Sequence, residues 1–286
     1  MHPVHPIATP MCALVYKNIN DLHFVCAAAS VIAEISTNER VRGVTSVDDE
    51  LFVLLEQRDN NQVCVYSIND YQQRRHLNVP RYSDMTSCVR HKCLYMSDYW
   101  NSCILRYQLA SSATSKWSVP GEPRGLSVTP SGNLLVTCRE PNKLLELSAE
   151  SGESVREIAL QSDIEEPRHS VQLTTGQFVV CHGLSVDLHR VCVVGDDGKV
   201  TRSYGGQSGS DVGQLNGPCH LAVDKDSQFV FVADENNHRV VLLSPTLEFV
   251  RYVTKGLSYP RRLYFHQATR RLFVGELMGS VSVVQW

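Results

Sequence analysis

With 286 residues the chain can bury a large core, yet it exceeds the size at which one continuous core stops growing, so two domains or a repeat array is expected. Hydrophobic residues make up 43% of it, and no apolar run approaches the roughly 20 residues of a membrane-spanning helix. A formal net charge of −3 excludes a uniformly basic, nucleic-acid-coating protein and leaves the charge of any single face open.

Residues 1–29 open with Met1-His2-Pro3-Val4-His5-Pro6, without the basic start and unbroken apolar stretch of a signal peptide. Stretches 13–16 and 23–28 are apolar enough to order as a strand or short helix on the main body, or are the remnant of a preceding region. They form an N-terminal segment without an assigned structure, and residues 30–286 form the main unit. Val31-Ile32-Ala33-Glu34-Ile35-Ser36 then reads as a strand with no local partner.

From there a repeat sets in. Aligned on the residue two after a turn proline, whose place Val41 and Tyr82 take in the first two, its copies stand at Gly43, Asp84, Gly125, His169, His220 and Arg262, spaced 41, 41, 44, 51 and 42 residues apart, in the period range of propeller blades. Second and third strands follow each start: 51–55 and 63–67, 93–97 and 104–108, 134–138 and 144–147, 178–181 and 191–194, 229–233 and 240–243, 272–275 and 280–285. A fourth strand follows at 75–79, 116–119, 155–160, 200–204 and 249–254. The last repeat stops at Trp286 without one, and the spare strand at 31–36 would complete it beside 280–285. Such closure removes exposed sheet edges. The expected fold is therefore all-β: a six-bladed β-propeller of four-stranded antiparallel blades, the last closed by the N-terminal strand.

The fifth copy is the most informative. Its Gly217-Pro218-Cys219-His220-Leu221-Ala222-Val223-Asp224 start and its Val232-Ala233-Asp234 strand leading to Asn237-His238-Arg239-Val240 resemble an NHL repeat. The resemblance covers about residues 30–286, with one close repeat and five degenerate ones.

Ten cysteines are scattered without Cys-x-x-Cys spacing, and Cys64, Cys138, Cys181 and Cys192 sit inside apolar runs. Reduced core thiols are expected, and with no Asn-x-Ser/Thr site they point to the cytoplasm. Cys88-Val89-Arg90-His91-Lys92-Cys93 falls across a strand-turn-strand with no second ligand pair nearby, so no metal is assigned. Phosphate-binding glycine loops and nucleophile motifs are absent as well, and no cofactor is expected.

In an up-and-down blade the loop entering strand one and the loop joining strands two and three lie at the same end, with strand one innermost. The turn residues should therefore ring the channel on one face. Arginine recurs there as Arg42, Arg124, Arg168 and Arg261; Cys219 and Ser83 hold the position in the other repeats, with Arg81 close by. A partial guanidinium ring suits a phosphate or carboxylate, which the planar fork binds in bidentate fashion. Alternatively, each arginine pairs with the acid ending strand two (Glu56, Asp98, Asp234, Glu276) and links neighbouring blades. Tyr99 and Trp100 should share this face as a stacking surface, and His220 adjoins it.

In the TRIM-NHL proteins the resemblance implies a recognition module that binds RNA or protein on one face. A non-enzymatic, monomeric module for a protein or single-stranded RNA, with no membrane contact, is the expectation. Ligase activity would come from elsewhere, since no RING or B-box pattern is present. The rival is a propeller enzyme with a channel active site. Peptide-amidating lyases place zinc-binding histidines near the turn position, where only His169 and His220 come close; lactonase- and strictosidine-synthase-like propellers use channel acids.

Overall fold

The computed structural model describes residues 29–286 apart from positions 59, 81 and 184–187. The N-terminal segment set apart above therefore lies, but for Ala29, outside the described residues. Strand β1 (Ser30–Ser36) comes first. Blade one holds β2 (Arg40–Val47), β3 (Glu50–Glu56), β4 (Asn61–Ser67) and β5 (Gln73–Val79). Blade two holds β6 (Asp84–Cys88), β7 (Cys93–Asp98), β8 (Cys103–Gln108) and β9 (Thr114–Ser118). Blade three holds β10 (Pro123–Val128), β11 (Leu134–Cys138), β12 (Lys143–Leu147) and β13 (Ser154–Ala159). Blade four holds β14 (Pro167–Gln172), β15 (Phe178–His182), β16 (Leu188–Val194) and β17 (Val200–Gln207). Blade five holds β18 (Pro218–Val223), β19 (Val230–Asp234), β20 (Arg239–Leu243) and β21 (Phe249–Lys255). Blade six holds β22 (Pro260–His266), β23 (Arg271–Glu276) and β24 (Ser280–Gln285).

Every blade is a four-stranded antiparallel sheet, and the six form a β-propeller ring as the repeat spacing implies. In blade six the order is β1-β24-β23-β22, with Ile35 opposite Val281, so the N-terminal strand supplies the fourth position. Among the described residues the only helical element is a 3-10 turn at Glu235–Asn237, and no helix is long and apolar enough to cross a membrane.

The core is divided among the seams between blades. Strand side chains alternate with period two, so a middle strand sends successive residues to opposite neighbours. In β15, Phe178 and Val180 pack with residues of blade three, whereas Val179 and Cys181 pack with residues of blade five. Both faces are dry, which is why the second strands read as unbroken apolar runs. Six such clusters fill the six seams. Ile35 of β1 joins Val281 and Val283 against Val41 and Val44 in the seam between blades six and one.

Cys64, Cys88, Cys93, Cys103, Cys138, Cys181, Cys192 and Cys219 are buried and free, and Cys12 and Cys26 lie outside the described residues. Burial pushes the Cys138, Cys181 and Cys192 thiols up to about 12, so they are inert while the fold is intact. Alkylation of the native protein at neutral pH should leave these eight untouched until global unfolding, followed by mass spectrometry. A stoichiometric intramolecular disulfide under non-reducing conditions would contradict this reading.

Candidate functional site at the channel mouth

A repeated β-bulge builds the site. In five blades the pairing of the inner strand with the second slips near its start, between Val41 and Gly43, Pro123 and Gly125, Pro167 and His169, Pro218 and His220, and Pro260 and Arg262. The residues skipped are Arg42, Arg124, Arg168, Cys219 and Arg261. A bulged residue leaves the ladder, and its side chain is re-aimed. The sequence places these residues in the turn before strand one, whereas they lie inside the inner strand itself. Blade two begins its pairing with Asp84 opposite Ser97, so Ser83 stands just ahead of the ladder.

The bulges aim their side chains into one cavity of about 120 Å³ at the channel mouth. All seven residues singled out from the sequence line it: Arg42, Arg124, Arg168, Arg261, Tyr99, Trp100 and His220. Arg81 lies outside the described residues. Ser83 and Cys219, which hold the same repeat position, line it too, and so do Tyr82, Asp84 and Arg262, which sequence reasoning did not assign to the site.

The acids paired with the arginines differ from those expected. Only Arg42 meets a strand-two acid, Glu56 of its own blade, with Nε and Nη2 donating to Oε2 at 3.0 and 2.6 Å. Arg124 lies 3.5 Å from Glu122, Arg168 3.7 Å from Glu166 and Arg261 3.5 Å from Glu235 of the neighbouring blade. The other strand-end acids hold local turns or their own blade. Asp98 accepts the Asn101 backbone N–H, Asp234 those of Asn216 and the Asn237 and Arg239 side chains, and Glu276 the Ser258 N–H and Ser282 hydroxyl.

Asp98 thereby fixes the loop that carries the aromatics. The Tyr99 and Trp100 rings are in contact with centroids 3.7 Å apart and planes tilted by 33°, and the Arg124 guanidinium sits 3.8 Å over the Tyr99 ring. Trp100 is 57% exposed, and Tyr99 is half-buried. Burial, then the like charges of Arg262 and Arg261, lower the Arg42 pKa against the pull of Glu56; burial, then Arg124, lower that of Arg168 against Glu166.

The floor of the site comes from the residues used to align the repeats, one step beyond each bulge. Gly43 and Gly125 leave room for close blade approach; a Cβ on Gly125 would lie 2.5 Å from the Arg168 carbonyl oxygen. Asp84, His169, His220 and Arg262 meet across the channel. Arg262 Nε lies 3.1 Å and His220 Nε2 3.6 Å from Asp84 Oδ1, while Asp84 Oδ2 accepts the Leu126 N–H at 2.8 Å. The two imidazoles stack at 3.7 Å. Arg262 also donates to the carbonyls of Arg42, Arg261 and Ser83.

Burial alone would raise the Asp84 carboxyl, yet Arg262, His220 and His169 together hold it at about 2. Burial and then His220 push His169 down to about 3, and burial lowers His220 against the opposing pull of Asp84. At neutral pH the floor is an ion pair beside two neutral imidazoles.

Donor atoms of Asp84, His169 and His220 lie within 4.8 Å of one another, which is metal-ligand spacing. The surroundings do not suit a cation. A cation there would face the Arg262 guanidinium, whose Nε lies 3.1 Å from Asp84 Oδ1, and the Leu263 N–H donates to His220 Nδ1 at 3.3 Å, which leaves the proton of the neutral ring on Nε2, facing Asp84. His169 directs Nε2 to the Leu126 carbonyl at 3.0 Å, leaving Nδ1 without a partner among the described residues.

No family model matches the sequence, and no curated protein sequence matches it. Among solved structures the chain is similar to virginiamycin B lyase from Staphylococcus aureus, with a TM-score of 0.62 and 10% identity, covering 90% of this chain and 99% of that one. It is similar to Kuenenia stuttgartiensis hydrazine synthase at 0.64 and 14%, covering 88% and 97%. It is also similar to the β-propeller domain of Myceliophteria thermophila Cps50 (Swd1) at 0.59 and 13%, covering 85% and 82%. At such identities the likeness concerns the fold alone, and it spans named enzymes and a propeller domain of another kind.

Proposed function

We propose that residues 30–286 form a non-enzymatic, NHL-type recognition propeller that binds a protein partner on the channel-mouth face. The module acts as a cytoplasmic monomer in this reading, in keeping with its free, buried thiols. The observation that carries it is the charge pairing around the mouth. The four bulge arginines each have an acid within 4 Å: Glu56, Glu122, Glu166 and Glu235. Beside them Glu140, Glu165 and Glu166 surround a second depression with Arg139. A polyanion such as single-stranded RNA gains most of its affinity from phosphate neutralisation, and this acid-studded rim opposes it. A protein interface instead favours paired charges around an exposed aromatic anchor, and Trp100 supplies the anchor.

A second reading, a channel enzyme, draws on the Asp84–His220 contact at the cavity floor. A general base works best with a pKa near the operating pH. Asp84 at about 2 is far too weak for that task and is already paired with Arg262.

The test is affinity capture from extracts of the source cells, with RNase-treated and untreated arms and a Trp100→Ala bait. The same protein should be captured in both arms. Loss of a central aromatic anchor costs about 2 kcal/mol or more, roughly 30-fold in affinity, so the variant should fail to capture while melting as the parent does. Capture abolished by RNase would mean that RNA is the ligand. Capture unaffected by Trp100→Ala would remove this face from consideration.

A further inference from the structure

We propose that the cavity at the channel mouth is a subsite for one phosphoryl group, carried on a phosphorylated side chain of the protein partner. This rests on the recognition reading above and adds the chemistry of what is recognised. The cavity wall carries five guanidinium groups, from Arg42, Arg124, Arg168, Arg261 and Arg262, against two carboxylates, Glu56 and Asp84. Glu122, Glu166 and Glu235 hold three of those arginines at 3.5–3.7 Å without standing in the wall. The whole assembly is therefore charge-balanced, but the groups that face the cavity are mainly guanidinium and the balancing acids stand behind them in the rim.

That distribution selects for sign and for a compact head group. The cavity of about 120 Å³ has room for a tetrahedral oxyanion and opens to solvent, where the rest of the ligand would meet the rim. An extended polyanion would place further phosphates against the rim acids. A phosphoryl group offers three acceptor oxygens to the converging guanidinium groups where a carboxylate offers two, and arginine forks pair with those oxygens in bidentate fashion. The site is also pre-organised. Tyr99 supports the Arg124 guanidinium from one side, and the repulsion of Arg42 by Arg261 and Arg262 is a cost that a bound anion relieves. Clustered arginines around a phosphorylated side chain are a recurrent mode of peptide recognition.

The test has two parts. In thermal melts at constant ionic strength, inorganic phosphate and N-acetyl-phosphoserine amide should each raise the melting temperature along a saturating curve. Acetate and glycerol 3-phosphate serve as carboxylate and lipid-headgroup comparators, and phosphoserine amide should saturate at lower concentration than either. Arg124→Gln with Arg168→Gln should weaken saturation at least tenfold; should that pair melt early, Arg261→Gln alone is the second variant. The capture experiment is then repeated with phosphatase-treated extract, which should reduce capture at least tenfold. Equal saturation by acetate, tighter binding of glycerol 3-phosphate, or no saturable shift at all would each overturn the proposal. Trp100-dependent capture that survives phosphatase would overturn it too, while leaving the recognition reading intact. Failure of capture even from untreated extract would count against that reading itself.

Discussion

Asp84→Ala is expected to destabilise the propeller by about 3–5 kcal/mol, the usual consequence of removing one partner from a buried ion pair. Asp84 is 1% exposed, and its carboxylate faces Arg262 and His220 while accepting the Leu126 N–H. Without it Arg262 keeps three carbonyl acceptors but no anion. Asp84→Asn should lose less, because an amide oxygen can still accept from Leu126. Acid should act on the same cluster. The Asp84 pKa is held at about 2, below its unfolded value, so its contribution is present above pH about 4 and is lost as pH falls toward 2. The His169 and His220 pKa values are also depressed, His169 to about 3. Below pH about 6.5 the unfolded chain takes protons that the buried rings refuse, so stability declines on acidification from there. Denaturant titrations from pH 7.5 to 4.5 should show this decline, and His169→Gln should make it shallower without abolishing it, because burial also depresses His182, to about 4, His220 and His266. A parent protein equally stable across that range would contradict the assignment of neutral, buried imidazoles.

Removal of residues 1–37 should have the other large effect. It uncovers the full length of β24, from Ser280 to Gln285, and opens the seam between blades six and one. An exposed, apolar edge strand is a template for pairing with a second chain, so the truncated protein should associate and lose a single cooperative melt. Ile35→Ala isolates the packing part. Ile35 is 5% exposed within that seam, and truncation of a buried isoleucine costs about 2–5 kcal/mol. A truncated protein that stays monomeric and melts as the parent does would contradict closure by β1.

The ring was legible because propeller physics leaves a periodic trace. Each middle strand must be apolar on both faces, and blades two to six restart from a turn that contains proline. Phe178-Val179-Val180-Cys181 and Leu134-Leu135-Val136 are that trace, as is the spare strand at 31–36 ahead of the first repeat. The four mouth arginines were readable for the same reason, since they recur at one offset from the turn. Their bulges were not, because a one-residue slip in pairing depends on the partner strand and leaves no local signature. Their acids were misread because Asp98, Asp234 and Glu276 are taken by hydrogen bonds within their own blades. The floor was missed in a different way. Asp84 and Arg262 meet only because the ring closes, and no sequence spacing announces a contact between chain-distant residues. The signal that could have found them was already in the alignment: Asp84, His169, His220 and Arg262 share one register, and a propeller brings that register to its axis.

Hydrogen–deuterium exchange on the captured complex tests the recognition face most directly. The loops at 99–102, 160–166 and 256–259 join strands at the mouth, whereas those at 129–133 and 224–229 lie at the opposite end. The expected result is partner-dependent protection of the first set, lost in Trp100→Ala, with the second set unchanged. Protection confined to 129–133 and 224–229 would place the partner on the other end of the propeller and contradict a binding role for the arginine-lined mouth.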